Sequence, residues 1–207
     1  MKILIYISIV CLGLSACYAK EKLINDSKPT VVFFNNTSKP LDTISEPKGV
    51  SIMSHALWQT TQHVTYDPSY VTLKYPGGDV PSNKGVCTDV VIRAYRSMGK
   101  DLQVLINEYM KQTGQTSDKN IDHRRCKVLK KYFTYNNLTL PVTMNESDYQ
   151  PGDIVFWDIA AGHVGLVTDE KVPGTNRYYI VHNICCGPQK EDYLFSADII
   201  MHVRWKV

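Results

Sequence analysis

The sequence predicts an α+β domain, in which helices from the first part of the domain pack on an antiparallel sheet formed by the last part. Apolar residues recur at helical spacing between Ala56 and Phe133. From Gly152 onward, short runs rich in Val, Ile, Tyr and Trp alternate with Gly, Pro and Asn. The chain has 207 residues, of which 43% are apolar and 21% charged, an ordinary globular composition. We therefore expect one domain with a real core and an extra segment.

The helices are predicted from apolar periodicity and from residues typical of helix ends. A short helix is expected from Ser54 to Val64, ended by "YDPSY", in which Pro68 lacks a backbone donor. Asp101 is an N-cap candidate for the helix "DLQVLINEYMKQ", and "NIDHRRCKVLKKYF" predicts a loop followed by a helical segment. Between them, a helix ended by Gly99 is predicted. Its apolar stripe consists of Val86, Val90, Val91, Ala94, Tyr95 and Met98.

The strands are predicted from four runs rich in β-branched and aromatic residues. These runs are "GDIVFWDI", "GHVGLVTD", "RYYIVHNI" and "DIIMHVRWKV". The segment "EKVPGTN" between the second and third runs is typical of a hairpin turn. Upstream, "KYPGGDVPSNKG" holds three Gly and two Pro and predicts an irregular surface loop.

The N-terminus resembles an export signal. Lys2 precedes an apolar run from Ile3 to Leu14, which is too short to span a bilayer. "LSAC", from Leu14 to Cys17, is similar to the bacterial lipobox, in which the cysteine is lipidated, and ordinary cleavage after Ala19 is the alternative. We expect an export signal over residues 1–19, a polar tether over 20–47 and the domain over 48–207. The mature protein would then reside in the periplasm or as an outer-membrane lipoprotein.

The net charge is too small to indicate a partner. At +3 it does not favour nucleic acid or strong attraction to a membrane surface, so membrane contact is expected only through the N-terminal lipid. Partners have to be inferred from sites instead.

Cys87 opens the predicted helix after the glycine-containing loop "SNKG". A cysteine in the first turn faces unpaired backbone N–H groups and the positive end of the helix dipole, and both favour thiolate over thiol. Burial as an ordinary apolar residue is the alternative for a helical cysteine taken alone. The position therefore makes Cys87 a candidate nucleophile that requires a base.

His163 is the candidate base, since it begins a predicted strand and stands between two glycines in "GHVG". A hairpin through "EKVPGTN" pairs His163 with a position close to 183, which brings His182 or Asn183 beside it. Either residue could orient the imidazole, the third role in a cysteine-type triad. The choice stays open because a slip of one residue exchanges the two faces of a strand.

The order of these motifs resembles a known superfamily. "VCTDVVIRAY", "YQPGDIVFW", "GHVGLV" and "YYIVHN" are similar to the NlpC-type papain-like cysteine peptidases of bacterial cell walls. More narrowly, "YPGGDVP", "GVCTDVVIRAYR", "NIDHRR", "YQPGDIV" and "VHNI" resemble the bacterial family catalogued as domain of unknown function 1287, over about residues 50 to 207. The commoner cell-wall peptidases have Asp-Cys-Ser at the start of the helix that carries the cysteine, whereas this sequence has Val86, Cys87 and Thr88 there.

This resemblance implies a papain-like fold and a catalytic set of Cys87 as nucleophile, His163 as base and His182 as orienting residue. It implies a hydrolase that cleaves an amide bond in peptidoglycan stem peptides and requires no metal or organic cofactor. We expect the protein to be a monomer. The alternatives are an acyl or amide transferase, a hydrolase of another substrate, or a non-catalytic binding module on the same fold.

Several polar residues are candidates for substrate binding. Arg124 or Arg125 in "NIDHRR" could form a fork to a carboxylate of the substrate, although an ion-paired surface loop is equally consistent with this run. Tyr66 lies in a loop that could line the cleft, and Asn183 could contact substrate if it does not orient the base. Asp89, also a candidate, is most simply a first-turn carboxylate that balances the helix dipole.

The remaining cysteines allow two interpretations. In an oxidising compartment, a disulfide between Cys126 and either Cys185 or Cys186 is reasonable, because the two adjacent cysteines could hardly bridge each other. A zinc site formed by these three cysteines with His182 is the alternative, but the spacing matches no familiar metal motif.

Overall fold

The computed structural model describes residues 51–206. The predicted export signal over 1–19, with its lipobox from Leu14 to Cys17, and the tether over 20–47 lie outside the described residues. Among helices within 51–206, none is both long and apolar enough to cross a membrane.

Four α-helices form over the described range: α1 Ile52–Gln59, α2 Cys87–Ser97, α3 Leu102–Gln112 and α4 Cys126–Tyr135. The helix predicted from Ser54 begins earlier, because Ser51 supplies the cap and its Oγ accepts from the Ser54 N–H at 3.0 Å. Asp101 caps α3 as predicted, accepting from the Gln103 N–H at 3.0 Å. Gly99 follows α2 with a φ of 80°, a conformation that suits glycine at a helix end.

The described strands make a six-stranded antiparallel sheet in the order β3-β8-β4-β5-β6-β7. Its strands are β3 Thr139–Leu140, β4 Ile154–Trp157, β5 His163–Lys171, β6 Tyr178–His182, β7 Gln189–Glu191 and β8 Ile199–Val203. A separate short pair, β1 Thr65–Tyr66 and β2 Lys84–Gly85, runs parallel and brings the two ends of the 67–83 loop together.

The sheet is buried on both faces. Ile154 and Phe156 of β4 pack among the helices, whereas Val155 and Trp157 point to a second apolar cluster on the opposite face. All four side chains are fully buried, which explains why β4 reads as a continuous apolar run rather than an alternating one. Four helices and an antiparallel sheet confirm the predicted α+β class.

This architecture sets the start of one helix beside the start of one strand. Helix α2 packs against β5, and its first residue follows directly on β2 and the extended N-cap Val86. The first residue of α2 is Cys87, and the first residue of β5 is His163. The fold thus brings together two residues that are far apart in the chain.

Candidate active site

Cys87 is the first residue of α2 and is only 5% exposed. Val86 has no polar side chain with which to cap the helix, and Asp89 Oδ2 instead accepts the Val86 N–H at 2.7 Å. The acidic side chain in the first turn thereby fixes the backbone immediately before the cysteine. The position matches the sequence prediction of a thiol at the positive end of a helix.

The His163 imidazole lies within hydrogen-bonding reach of Cys87, and the Val164 backbone N–H also faces the sulfur. The contact with the Cys126 thiol, the His163 hydrogen bond and the His163 charge together hold the pKa of Cys87 well below its usual value, although burial opposes this effect. The structure therefore brings the predicted nucleophile and base together in the arrangement that favours a thiolate.

His182 contacts the other side of the base. Its Nδ1 lies 2.7 Å from Nε2 of His163, with both rings buried. The register pairs Gly165, not His163, with His182, so the two histidines lie diagonally across the strands. Gly165 leaves space for this approach, since a Cβ there would lie 3.0 Å from the Cβ of His182.

Asn183, the alternative orienting residue, is directed elsewhere. Its Nδ2 donates to the Gly85 carbonyl oxygen at 3.2 Å, and its side chain is fully buried. Within residues 51–206 its Oδ1 has no hydrogen-bond partner. The geometry thus gives His182 the contact with His163, and Asn183 ties β2 to the end of β6.

Glu191, which the sequence analysis did not identify, extends the chain of contacts. Its Oε2 lies 2.8 Å from Nε2 of His182. This hydrogen bond lowers the pKa of Glu191, so the group stays a carboxylate. Burial lowers the pKa of His182, although the hydrogen bond with Glu191 opposes this effect. The lowered pKa favours a neutral His182 ring.

These contacts define one pattern of protons along the chain of side chains. The Glu191 carboxylate can only accept, so it takes the N–H at Nε2 of His182. Nδ1 of His182 is then an acceptor for the N–H at Nε2 of His163. The lone pair of His163 consequently lies on Nδ1, the nitrogen left to face Cys87, as a base requires.

Aromatic rings surround the two histidines. Tyr193 packs against His182 with ring centroids 4.3 Å apart and against His163 at 5.9 Å, and Trp157 lies 5.7 Å from His163. Trp157 is itself fixed by donating Nε1–H to the Leu194 carbonyl oxygen at 2.9 Å. The rings shield from water the chain of contacts that runs from Cys87 through His163 and His182 to Glu191, here called the relay. They also hold both imidazoles in place.

Arg124 and Asp89, both predicted to contact substrate, form a buried ion pair instead. Nε and Nη2 of Arg124 each donate to the Asp89 carboxylate at 2.9 Å, and both side chains are only 2% exposed. Arg124 also reaches the backbone carbonyls of Asp67 and Ser69. The structure corrects both predictions, because the two side chains are buried and bind each other, which leaves neither of them accessible to a substrate.

Arg125 is exposed, and Tyr66 is half-buried. The Arg125 side chain is 55% exposed and donates to Asp122 at 3.0 Å, so much of its fork is accessible. Tyr66 is half-buried on β1, where burial and the nearby sulfur of Cys87 raise its pKa to about 12. Tyr66 therefore keeps its hydroxyl proton and can donate a hydrogen bond.

The cysteines differ from the sequence prediction. Cys126 is the first residue of α4, and its Sγ lies 3.9 Å from Sγ of Cys87. None of the four cysteines within residues 51–206 forms a disulfide, and Cys185 and Cys186 are exposed. A disulfide between Cys126 and either of them is therefore wrong for this structure, because α4 holds Cys126 against the start of α2.

Comparison with known proteins gives a family without an assigned activity. The family described as domain of unknown function (DUF1287) matches residues 53–205. The "Uncharacterized protein YijF" of Escherichia coli (strain K12) is 38% identical over 212 residues, which cover 97% of this chain and 98% of that protein. No solved structure matches the chain significantly. The chain belongs to the DUF1287 family.

Proposed function

We propose that this protein is a cysteine hydrolase of papain-like fold that cleaves an amide bond, with Cys87 as nucleophile and His163 as general base. The observation that carries the proposal is a continuous series of contacts from Cys87 through His163 and His182 to Glu191. His163 lies 2.7 Å from His182, and His182 lies 2.8 Å from Glu191. Each member has the role that nucleophilic catalysis requires: a thiol at a helix N-terminus, a base, and residues that orient the base.

In the first step, the Cys87 sulfur attacks the carbonyl carbon of the scissile amide, and His163 holds the thiol proton. The tetrahedral intermediate collapses when His163 transfers that proton to the leaving nitrogen, which releases an amine and leaves a thioester on Cys87. His163 then deprotonates a water molecule that attacks the thioester. The carboxylic acid product leaves, and His163 returns the proton to the Cys87 sulfur.

Two donors are available for the oxyanion of the intermediate. The backbone N–H of Cys87 lies at the start of α2, where the helix dipole favours negative charge. The raised pKa of Tyr66 keeps its hydroxyl protonated through the neutral range, so it is the second donor.

We further propose that the substrate is a stem peptide of peptidoglycan. Three features support this choice: the resemblance of the motifs to cell-wall peptidases, the export-like N-terminus and the exposed fork of Arg125. Stem peptides carry free carboxylates that a guanidinium binds in a bidentate manner. In this account the protein works outside the cytoplasm, in the periplasm or tethered by an N-terminal lipid, as a monomer.

Defined peptidoglycan fragments test this proposal. Purified wild-type protein and Cys87→Ala are incubated with them in water enriched in ¹⁸O, and the products are identified by mass spectrometry. A hydrolase yields a new amine and a carboxylate carrying one ¹⁸O, with no product from Cys87→Ala. Transfer of the acyl group to an added amine without ¹⁸O would indicate a transferase. Intact fragments with a folded, rapidly alkylated Cys87 would contradict the choice of substrate.

A further inference from the structure

A second thiol lies against the nucleophile. Sγ of Cys126 is 3.9 Å from Sγ of Cys87, and the two residues are 6% and 5% exposed. This separation suits a hydrogen bond between two sulfurs and exceeds the roughly 2.05 Å of a disulfide. Cys126, like Cys87, begins a helix, so two helix N-termini converge on one buried pair of thiols.

We propose that Cys126 is a positioning residue that donates its S–H to the Cys87 thiolate and so stabilises the reactive form of the nucleophile. The inference rests on the proposed function, because it assumes that Cys87 is the nucleophile. It assigns a role in the same site to a residue that the catalytic relay does not include.

The surroundings decide which of the two thiols ionises. The groups that face the pair are His163 and, behind it, His182 from the sheet, Tyr66 from β1, the Asp89–Arg124 ion pair, and Lys130 of α4. His163 and the Val164 N–H both act on Cys87. Lys130 favours ionisation of Cys126, but the hydrogen bond with Cys87 and burial outweigh it and raise the pKa of Cys126. Cys87 therefore loses its proton first, and Cys126 keeps one to donate.

The position of Cys126 is fixed from both sides of the site. On one side, the Arg124 carbonyl oxygen accepts from the Thr88 hydroxyl at 2.9 Å, which docks the start of α4 on the first turn of α2. On the other side, a Cβ built on Gly162 would lie 3.1 Å from Cβ of Cys126. Gly162 directly precedes the base, so Cys126 packs between the nucleophile and the loop that leads into β5 at His163.

The experiment measures how pH affects alkylation of Cys87 by iodoacetamide. Oxygen is excluded, and no reducing agent is present. The full-length chain is labelled between pH 5 and pH 10 and digested with trypsin, which releases Cys87 on the peptide of residues 85–93. In Cys126→Ala, which lacks the donor, we expect the midpoint of labelling to rise by about one pH unit. Cys126→Ser retains a donor and should restore a midpoint close to the wild type. Cys185→Ala, at an exposed thiol, is the matched control and should leave the midpoint unchanged.

Three outcomes overturn the inference. One is a Cys126→Ala protein that remains folded by its melting temperature and titrates like the wild type. Another is a Cys126→Ser protein that shifts as far as Cys126→Ala, since a merely structural role would then explain both. The third is a wild-type protein isolated with Cys87 and Cys126 joined in a disulfide. The proposed function fails separately, if wild-type Cys87 itself titrates like an ordinary thiol.

Discussion

Glu191 Oε2 lies 2.8 Å from Nε2 of His182, at the end of the relay opposite Cys87. A carboxylate can only accept a hydrogen bond, so this contact determines where the proton lies on His182 and, through His182, on His163. The side chain that sets the direction of the relay is thus on β7, which pairs with β6, the strand that ends at His182.

Replacement of Glu191 should weaken turnover without unfolding the domain. In Glu191→Gln the amide N–H can face His182 and favour the wrong tautomer, so we expect turnover to fall roughly tenfold or more. Stability should change little, because the Glu191 side chain is 43% exposed. The measurement is the rate of product formation from a cleaved peptidoglycan fragment, together with thermal unfolding.

Glu170→Gln is the matched control for this variant. Glu170 is a strand glutamate of similar exposure, 49%, and its partner is Lys190 rather than a histidine of the relay. Its turnover should equal that of the wild type. An equal loss in both variants would assign the effect to surface charge and remove Glu191 from the relay.

Gly165→Ala should damage both the sheet and the relay. The added methyl group would lie 2.7 Å from Cγ2 of Ile180 and 3.0 Å from Cβ of His182, so the neighbouring strand has to move. Overpacking of this kind costs about 1–3 kcal/mol. We expect urea denaturation to show that loss and turnover to fall with it. Wild-type stability in Gly165→Ala would show that His182 does not depend on the space beside Gly165.

Arg124 and Arg125 are adjacent, yet replacing them should affect different properties of the protein. Arg124→Ala leaves the buried Asp89 carboxylate unpaired, which should lower the free energy of unfolding by about 3–5 kcal/mol. Arg125→Ala removes an exposed side chain, so stability should stay within about 0.5 kcal/mol. If Arg125 binds a substrate carboxylate, its variant should instead raise KM with little change in kcat.

Chemical denaturation and steady-state kinetics of the two arginine variants separate these roles. A stable Arg124→Ala protein would contradict the structural role of the ion pair. An Arg125→Ala protein with unchanged KM would exclude Arg125 from substrate binding.

Asp153 should make the domain sensitive to acid. Burial opposes its ionisation, but hydrogen bonds from Arg204 at 2.7 and 2.8 Å and from His202 at 2.7 Å outweigh it and hold its pKa below the usual 3.8. A lowered pKa in the folded state contributes stability above pH 3.8, and that contribution is lost as pH falls through the folded value.

Asp153→Asn tests this assignment by urea denaturation at several pH values. The variant should be less stable than the wild type at neutral pH, and the difference should shrink as pH falls below 3.8. A difference that stays constant down to the lowest pH would show that ionisation of Asp153 is not its source.

The sequence predicted those features that depend on local pattern. The start of α2 at Cys87, the cap at Asp101 and the strand beginning at His163 follow from periodicity and from residues typical of helix ends. The register was harder to predict, because an irregularity between Val167 and Lys171, just before the turn of the hairpin, shifts the strand pairing. His182 is therefore diagonal to His163 rather than directly opposite it.

Features that depend on distant contacts could not be predicted. Glu191 lies on a strand of three polar residues, "QKE", which gives no apolar alternation to mark it. Nothing local distinguishes the buried Arg124 from the exposed Arg125, because burial is decided by whether Asp89 on another helix faces the side chain. The contact between Cys126 and Cys87 likewise depends on how α4 docks against α2.

The most direct test of the central claim is the pH at which Cys87 becomes reactive in the wild type and in His163→Ala. Peptide-resolved alkylation gives this midpoint, with the exposed Cys185 as internal reference. We predict that wild-type Cys87 reacts well below the midpoint of Cys185 and that loss of the imidazole moves Cys87 toward it. Coincident midpoints for Cys87 and Cys185 in the wild type would contradict a nucleophile activated by His163.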